Sequence, residues 1–540
     1  MTPGTRFFNT AGPVQPEIHY HVPPLARLDV DDLLLLMRQR KYVVLHAPRQ
    51  TGKTSALLAL RDELNAVGDF RSVYVNVEVG QSAREDVGAA VRAILSALAS
   101  EARYALDDRF LDDVWPTVLH DAGPHDALRE TLARWSGSDA KPLVLLIDEI
   151  DALIGDTLLA VLRQLRAGYP GRPRHFPQSV ILCGVRDVRD YRIRSTRENA
   201  VIAGGSAFNV RAQSLRLGDF SQQEVDHLLA QHTGETGQGF SPEAKLQLWE
   251  LTRGQPWLVN ALAYEACFED EAGRDRRRPI RAAAMEDARE RLILRRDTHL
   301  DQLADKLQEE RVRRVVEPLL SGAAATEAFA ADDLEYVRDL GLVTRVGPVA
   351  VANPIYREVI PRDLTYTTQE MSFHHDPAWY IDEDGALQVG ELLAAFQAFF
   401  REHSEHWVER FQYREAGPQL LLQAFLQRIV NGGGRIDREY GLGRMRTDLL
   451  IVWPVGGRAA GARDGTGAKT QKVVIECKLL HRGAERTVRE GLQQTRAYMD
   501  RCAAAEGHLV IFDRDEDKPW DAKLYRRDDT DGVPVTVWGM

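Results

Sequence analysis

Ala47-Pro48-Arg49-Gln50-Thr51-Gly52-Lys53-Thr54-Ser55 follows the apolar run Tyr42–His46 and precedes the helical pattern Ala56–Leu64. This is the phosphate-binding pattern G-x-x-x-x-G-K-[ST], here with Ala47 in place of the first glycine, in the strand–loop–helix context it requires. Backbone N–H groups of the loop and the helix N-terminus would surround phosphate oxygens. Lys53 would supply charge to the β- and γ-phosphates, and the Thr54 hydroxyl would reach Mg²⁺. The stretch therefore predicts a site for ATP and magnesium.

A second apolar run, Leu143–Ile147, ends in the two acids Asp148 and Glu149. A buried strand with this ending supplies one carboxylate for Mg²⁺ and a second that can polarise a water molecule. Asp148 is therefore predicted to hold the metal through its water shell, and Glu149 to be the general base for hydrolysis. Such a run alone is often only a core strand with a polar end, but its pairing with the first motif favours an ATPase.

The strand ending in Asp-Glu resembles those of AAA+ and STAND-type ATPases, and the similarity covers roughly Arg27 to Asp363. In these relatives a later strand ends in a polar sensor of the γ-phosphate, and Val180–Arg186 matches it, which makes Arg186 the candidate. Gly254-Gln255-Pro256 resembles the GxP motif, whose proline packs on adenine. Arg186 as a surface salt-bridge residue and Pro256 as an ordinary helix-start proline stay open.

Composition and charge exclude several classes of protein. At 540 residues, the chain is too long for one core, so several domains are expected. No apolar run approaches the length of a membrane span, and the N-terminus has no apolar core of signal-peptide type. The four cysteines form no CxxC pair, which argues against disulfides and structural zinc and fits a reducing cytoplasm. We therefore expect a cytoplasmic protein with no membrane partner.

The order of patterns predicts an α/β chain with two folded parts. Strand candidates at Tyr42–His46, Ser72–Val77, Leu143–Ile147 and Val180–Gly184 alternate with helical patterns, which favours a parallel sheet. We expect a helical lid next, and then a winged-helix-like segment, because a helix is followed by two short apolar runs near residues 340–351. The predicted domains are an arm at 1–26, a P-loop ATPase core at 27–216, the lid at 217–280, the winged-helix-like domain at 281–364, a linker at 365–388 and a C-terminal α/β domain at 389–540.

A second constellation lies in the C-terminal domain. Asp448 begins an apolar strand pattern, and Val473–Lys478 is another that ends in Glu476-Cys477-Lys478. Residues two apart in a strand share a face, so Glu476 and Lys478 point the same way. Two carboxylates that gather Mg²⁺, with a lysine beside the attacking water, suit phosphodiester hydrolysis. Asp448 and Glu476 are thus predicted metal ligands, although Glu-x-Lys on a strand is common by chance.

This C-terminal pattern resembles the PD-(D/E)XK nuclease fold over about Val389 to Met540. The resemblance implies an acid before the first strand, for which Glu415 is the candidate and Glu409 the runner-up. It also implies a helix with a Q-x-x-x-Y motif, which Gln494 to Tyr498 fits. Thr447 stands where the pattern often has proline. As a whole, the chain resembles bacterial AAA-like ATP-binding proteins with a C-terminal nuclease-like domain, a group that implies the architecture but no substrate.

We therefore predict an ATP-controlled, Mg²⁺-dependent nuclease whose substrate is nucleic acid, with DNA favoured over RNA but the choice left open, and with defence against foreign DNA suggested only by analogy. The alternative is a nucleotide-dependent switch or scaffold whose C-terminal domain binds without cutting. The net charge of −11 suits the alternative, whereas arginine clusters near residues 274–281 and 291–296 could contact phosphates. Assembly into a homo-oligomer is left open because no arginine finger is identified, Arg189 and Arg192 being guesses.

Overall fold

The computed structural model describes residues 6–187, 192–195, 200–203, 212–295, 306–307, 309–321, 329–357, 359, 380–382, 384–411, 422, 425–426, 435–442, 445–455, 470–480, 484–513, 515, 518–530 and 532–540. The chain divides into two compact units. The first comprises Met1–Gln302 and Ala331–Tyr356, and the second comprises Leu303–Ala330 and Arg357–Met540. The chain therefore passes from one unit to the other three times.

The strands, in chain order, are β1 Phe7–Phe8, β2 His19–Tyr20, β3 Tyr42–His46, β4 Arg71–Asn76, β5 Leu143–Asp148, β6 Ser179–Gly184, β7 Arg192–Ser195, β8 Ala200–Ala203, β9 Ala212–Arg216, β10 Arg435–Leu442, β11 Met445–Pro454, β12 Thr470–Leu480, β13 Glu506–Asp513, β14 Tyr525–Asp529 and β15 Val535–Gly539. Strands β1–β9 belong to the first unit and β10–β15 to the second.

The helices, in chain order, are α1 Val30–Arg38, α2 Lys53–Val67, α3 Val87–Leu106, α4 Phe110–Ala122, α5 Ala127–Gly137, α6 Gly155–Gly168, α7 Gln222–Thr236, α8 Pro242–Thr252, α9 Pro256–Tyr264, α10 Ala282–Arg295, α11 Glu310–Ser321, α12 Ala331–Asp339, α13 Val389–Phe411, α14 Ala484–Cys502 and α15 Trp520–Lys523. Among the helices described, none is both long and apolar enough to cross a bilayer.

The first unit is built on a parallel sheet of five strands in the order β4-β5-β6-β3-β9. All residues of β3 are buried, as expected of a parallel strand covered on both faces. Val43 and Leu45 pack with Leu57 of α2 on one face. Val44 packs with helix α3 residues such as Val91 on the other. The four predicted strands are confirmed, and each is within one residue of its predicted bounds.

The order of this sheet fixes the place of the nucleotide motifs. The carboxyl ends of parallel strands lie at one edge of the sheet, and ligands of such sheets bind there. Strand β3 leads into the loop before Lys53, and β5 ends at Asp148, with β6 between these two strands. The two motifs, nearly one hundred residues apart in sequence, therefore meet at one edge.

Helices α7 to α9 lie in the segment 217–280, which is predicted to be a helical lid. Helix α7 begins with a capping box, in which the Ser221 hydroxyl accepts from Glu224 N and the Glu224 side chain accepts from Ser221 N. Ser241 caps α8, and Gln255 caps α9, where Pro256 takes the first helical position. The caps of α8 and α9 stabilise the turns before these helices and so fix the position of Pro256.

The arm before the sheet is ordered against the lid. Strands β1 and β2 pair in parallel, and Phe8 and Tyr20 are fully buried against His232 of α7. Trp257 Nε1 of α9 donates to Thr10 O at 2.9 Å, and Arg6 pairs with Glu235 at 2.8 Å. The arm is therefore part of the first unit and not a loose extension.

The segment 331–356 also belongs to the first unit. Helix α12 is followed by a turn in which Val343 and Val351 form one antiparallel bridge. This agrees with the predicted helix and ribbon, but a single bridge does not establish a winged helix, which stays a prediction. Gly341 lies so close to the nucleotide loop that a Cβ added to it would be 2.6 Å from Pro48 Cγ.

The second unit contains a six-stranded sheet in the order β10-β11-β12-β13-β15-β14. Strands β10 to β12 are antiparallel, β12, β13 and β15 are parallel, and β14 returns antiparallel to β15. Helix α14 covers one face of the sheet, where Leu492 and Met499 pack against Leu509. Elsewhere in this unit, Phe396 and Phe400 of α13 contact Phe512 of β13.

The predicted strands of the C-terminal domain are confirmed, and β14 and β15 are two strands that sequence reasoning did not predict. The predicted linker at 365–388 is described only from residue 380, with one gap. Most of residues 412–434 and all of residues 456–469 lie outside the described residues.

Candidate functional site

The nucleotide loop wraps around the ammonium group of Lys53. Gln50 and Gly52 have φ values of 56° and 89°, and these left-handed positions turn the chain back towards the start of α2. Lys53 Nζ donates to Ala47 O at 3.1 Å and to Pro48 O at 3.0 Å. The lysine is buried, so its charge is presented inside a loop of backbone groups, as phosphate binding requires.

Asp148 is tied directly to the first motif. Thr54 Oγ1 donates to Asp148 Oδ2 at 2.7 Å, and Tyr74 OH donates to the same oxygen at 3.1 Å. The Glu149 backbone N–H donates to Asp148 Oδ1 at 3.0 Å, which fixes the carboxylate from its other side. Tyr74 lies in β4, next to β5 in the sheet, and was not predicted from the sequence.

The donor set around Asp148 fits a magnesium ion. Mg²⁺ takes oxygen ligands and is usually bound by one or two side chains, several waters and substrate phosphates. The Thr54 hydroxyl and the fully buried Asp148 carboxylate supply such oxygens beside the phosphate loop. A bound ion there would offset the negative charge of the β- and γ-phosphates.

Glu149 occupies a left-handed backbone position, with φ of 54°, directly after β5. Its side chain is half-buried and lines the same cavity as Lys53. Burial raises the pKa of Glu149 above its ordinary value, while the charge of Lys53 acts in the opposite direction. A carboxylate with a raised pKa at this place is suited to accept a proton from water.

A cavity of about 490 Å³ extends from the nucleotide loop to the lid and the arm. At its phosphate end it is lined by Gln50, Thr51, Gly52, Lys53, Thr54, Ser55, Tyr74, Asn76, Glu78 and Glu149. At its other end it is lined by residues of the arm, namely Asn9 to Val14, Tyr20, His21, Val22 and Pro24, together with Arg27, Phe220, Pro256, Trp257 and Asn260. Its size is within the range of small-molecule sites.

The far end of the cavity has the chemistry of a base-binding site. Val22, Pro24 and Phe220 offer apolar surface, and Pro256 stands with them at the start of α9. The arm residues Tyr20, His21, Val22 and Pro24 thus lie at the cavity, as does Pro256. Packing of Pro256 on adenine stays a prediction.

Arg27 joins the nucleotide loop to the start of the lid. Its Nη1 donates to Thr51 O at 2.7 Å, and its Nε donates to Gly218 O at 3.1 Å. The guanidinium also lies 4.9 Å from the centre of the Phe220 ring. Burial lowers the pKa of Arg27 to about 10, so the group stays charged near neutral pH. A separate hydrogen bond joins the arm to the nucleotide motif: the Val14 backbone N–H donates to Ser55 Oγ at 3.0 Å.

Arg186 occupies a different place from the phosphate end. Its Nε lies 3.5 Å from Asp339 Oδ2, and its guanidinium lies 4.7 Å from the centre of the Tyr336 ring. Arg186 is not among the described residues that line the cavity. The structure thus places it between the end of β6 and the segment 331–356, and its role as a γ-phosphate sensor stays a prediction. Arg189 and the side chain of Arg192 lie outside the described residues.

The second predicted site is partly described. Lys478 Nζ donates to Glu476 Oε1 at 2.7 Å, and Glu476 is buried in β12. In the neighbouring strand β11, Leu449 pairs with Ile475. The two strands are antiparallel, so the next backbone positions beyond this pair are Asp448 on β11 and Glu476 on β12. The side chain of Asp448 lies outside the described part of the chain, as do Glu415 and the side chain of Glu409.

Helix α14 presents Gln494 with a buried amide oxygen. Gln494 Oε1 has no hydrogen-bond partner among the described residues. No group of three or more His, Cys, Asp and Glu that could hold a metal ion occurs in the described part of the chain. The proposed metal ligands Asp448 and Glu476 therefore stay predictions, with Glu476 the one whose side chain is described.

Several arginines of the basic clusters are paired with acids. Arg291 Nε lies 3.3 Å from Glu265 Oε2, and Arg295 pairs with the other oxygen of Glu265. Arg277 and Arg278 both pair with Asp275. The charge available to phosphates on these clusters is therefore smaller than the sequence suggests.

A model of the AAA domain family matches residues 36–191. No curated protein matches the chain. Among solved structures, a Walker-type ATPase of Pyrococcus abyssi is 14% identical with a TM-score of 0.43, over 65% of this chain and 99% of its own. The Holliday junction branch migration motor RuvB of Thermotoga maritima is 15% identical with a TM-score of 0.32, over 61% of this chain and 93% of its own.

Cdc6p of Pyrobaculum aerophilum is similar at 15% identity and a TM-score of 0.32, over 64% of this chain and 93% of its own. The family match coincides with the part of the chain in which β3, the loop around Lys53 and β5 meet at one edge of a parallel sheet. Residues 36–191 are therefore an AAA-like P-loop ATPase domain.

Proposed function

We propose that the first unit binds and hydrolyses ATP with Mg²⁺, and that its nucleotide state controls a Mg²⁺-dependent nuclease in the second unit. The observation that carries the ATPase half is the contact between Thr54 and Asp148 at 2.7 Å, beside the buried Lys53. Lys53 holds the β- and γ-phosphates, Thr54 and Asp148 hold the metal, and Glu149 takes a proton from the attacking water.

The nuclease half is supported by the pair Glu476 and Lys478. Their side chains meet at 2.7 Å on one face of β12, and the pairing of Leu449 with Ile475 brings the backbone of Asp448 alongside. The chain order of α13, β11, β12 and α14 agrees with the order of the PD-(D/E)XK pattern. Asp448 and Glu476 would bind the metal, which offsets charge on the scissile phosphate, and Lys478 would favour hydroxide as nucleophile.

The segment 331–356 supports the control of one unit by the other. It packs against Pro48 of the nucleotide loop through Gly341, and Asp339 meets Arg186 at the end of β6. At both ends this segment continues directly into residues of the second unit. A movement of the loop on nucleotide exchange would therefore be passed along the chain in two places. DNA is the proposed substrate and defence against foreign DNA the proposed role.

A second candidate is a nucleotide-dependent switch or scaffold that binds without cutting. It is favoured by the pairing of Arg291 and Arg295 with Glu265, and by the net charge of −11, which both reduce attraction to DNA. Only the nuclease candidate yields a nicked or cut nucleic acid as product.

Nicking of supercoiled plasmid with Mg²⁺ or Mn²⁺, with and without ATP, tests the nuclease half. Wild type and Lys472→Ala should cut, and Lys478→Ala should not. Lys472 is the matched control because it lies in the same strand and donates instead to Cys502 O at 3.0 Å. Equal cutting by wild type and Lys478→Ala would show that the assigned site is wrong. No product from the wild type in any condition favours the switch.

A further inference from the structure

Asn260 is a polar side chain of the cavity, and a hydrogen bond fixes its orientation. Asn260 lies four residues after Pro256 in α9, and residues with this spacing share a face of a helix. Both line the cavity. Asn260 is 9% exposed, so its amide is presented from within the wall of the cavity and not from the solvent.

The amide of Asn260 can point in only one direction. Its Nδ2 donates to Pro256 O at 2.8 Å. A carbonyl oxygen only accepts hydrogen bonds, so the amide nitrogen must take this position. The other end of the amide, Oδ1, is buried and has no hydrogen-bond partner among the described residues. Buried polar atoms are almost always paired, so Oδ1 needs a hydrogen-bond donor from outside the described protein residues.

We propose that Asn260 Oδ1 accepts a hydrogen bond from the 6-amino group of adenine and so makes the cavity selective for ATP. This proposal rests on the proposed binding of ATP at Lys53. The phosphates at the loop and the base beside Pro256 would occupy the two ends of one cavity. Asn260 is then a specificity-determining residue that acts far from the reacting phosphate.

The walls around Asn260 favour adenine over guanine. Val22, Pro24, Phe220 and Pro256 are apolar, and a polar group pressed against them without a partner loses its hydration. Adenine carries one exocyclic donor group, which Oδ1 can satisfy. Guanine carries an oxygen, a ring N–H and an amino group on the same edge, more than a single acceptor can pair.

A second buried polar atom lies at the same end of the cavity. Tyr20 is fully buried in the arm, lines the cavity, and its OH has no hydrogen-bond partner among the described residues. A hydroxyl can donate to a ring nitrogen of a purine. The ring of Tyr20 packs on Phe8 and His232, so its position is held by the arm and the lid.

The test compares ATP with purine riboside triphosphate, which differs from ATP only by lacking the 6-amino group. Both compete with a fluorescent ATP analogue for the full chain in Mg²⁺, and GTP is a third competitor. The wild type should bind ATP about tenfold more tightly than purine riboside triphosphate, as one buried hydrogen bond provides. GTP should bind at least about tenfold more weakly than ATP. In Asn260→Leu the preference for ATP over purine riboside triphosphate should disappear.

The controls separate this proposal from the function on which it rests. Lys53→Ala should weaken ATP and purine riboside triphosphate by the same factor, because it removes a phosphate contact. The comparison in the wild type needs no variant, so it holds even where Asn260→Leu fails to fold. Equal affinity of the wild type for ATP and purine riboside triphosphate would overturn the proposal, as would a preference that survives in Asn260→Leu. Binding of no triphosphate by the wild type would remove the proposed ATPase and this proposal with it.

Discussion

Thr54 Oγ1 donates a hydrogen bond of 2.7 Å to Asp148 Oδ2, and these two residues come from motifs nearly one hundred residues apart in the sequence. The contact joins the start of α2 to the end of β5. It places a hydroxyl and a carboxylate where a magnesium ion could bridge them to bound phosphates.

Replacement of Thr54 by alanine should lower ATP hydrolysis at least about tenfold, because one oxygen of the metal site is lost. Thr54→Ser is the matched control, since it keeps the hydroxyl and removes only a methyl group. Hydrolysis is measured as phosphate release over a series of Mg²⁺ concentrations. We expect Thr54→Ser to follow the wild type and Thr54→Ala to need more Mg²⁺. Similar Mg²⁺ dependence in all three proteins would contradict the assignment of Thr54.

Tyr74→Phe tests a positioning residue that sequence reasoning missed. Its hydroxyl donates to Asp148 at 3.1 Å, and loss of one such bond to a charged group costs about 1.5–3 kcal/mol. We expect a lower affinity for Mg²⁺ and a smaller effect on the rate at saturating Mg²⁺. Burial and the neighbouring Asp148 raise the pKa of Tyr74, so the phenol stays protonated and the rate shows no alkaline limb from it. An unchanged Mg²⁺ affinity in Tyr74→Phe would rule out this role.

Glu149→Gln should retain ATP binding and lose hydrolysis by about 10²–10⁴-fold, the usual contribution of a general base. The pH dependence follows from the raised pKa of Glu149. A base works only when deprotonated, so hydrolysis is fastest above this pKa and falls as the pH drops through it. Because burial raises the pKa above 4.5, the acid limb should lie above pH 4.5. A limb at or below that value in the wild-type profile would argue against Glu149 as the base.

Gly341→Ala tests the packing of the segment 331–356 on the nucleotide loop. Gly341 has φ of +76°, and an added Cβ would lie 2.6 Å from Pro48 Cγ. Gly347 is the matched control, because it has φ of +82° and nothing within 4 Å of an added Cβ. The left-handed conformation should cost each alanine variant about 1–2 kcal/mol in the free energy of unfolding.

Only Gly341→Ala should also weaken ATP binding, because the methyl group pushes on the loop that surrounds Lys53. Calorimetric titration with ATP measures the affinity, and thermal unfolding measures the stability of the two variants. If both variants bind ATP as tightly as the wild type, the packing of segment 331–356 on the nucleotide loop does not affect ATP binding.

Arg27→Ala should weaken ATP binding by about tenfold, the equivalent of one hydrogen bond to a charged group. The guanidinium donates to Thr51 O in the loop and to Gly218 O before the lid, and it holds the two backbones together. Burial lowers its pKa to about 10, so Arg27 stays charged and its titration should not change ATP affinity between pH 6 and 8. An unaltered affinity in Arg27→Ala would show that the link is not needed for binding.

The nucleotide motifs could be predicted from the sequence because their chemistry is local. The residues from Ala47 to Ser55 are consecutive, and the apolar strand before Asp148 is short and uniform. Tyr74 and Arg27 were missed for a different reason. Each acts through a distant partner, as when Arg27 reaches Thr51 and Gly218, and nothing in the neighbouring residues marks such a contact.

In the C-terminal sheet, too, some strands could be predicted from the sequence and others could not. The strand that contains the apolar run Val473–Ile475 was predicted, whereas β14 has the sequence Tyr-Arg-Arg-Asp-Asp and gives no strand pattern. It is an edge strand with exposed side chains, held by its pairing with β15 and not by its own burial. Periodicity could not reveal it, because its mostly exposed polar residues give no alternation of apolar and polar side chains.

Control of cleavage by the nucleotide is the central claim, and one assay tests it most directly. Supercoiled plasmid is incubated with Mg²⁺, with and without ATP, and with wild type or Lys53→Ala. The account predicts that ATP changes the cutting rate of the wild type by at least about tenfold and leaves that of Lys53→Ala unchanged. Cutting by the wild type at the same rate with and without ATP would contradict it.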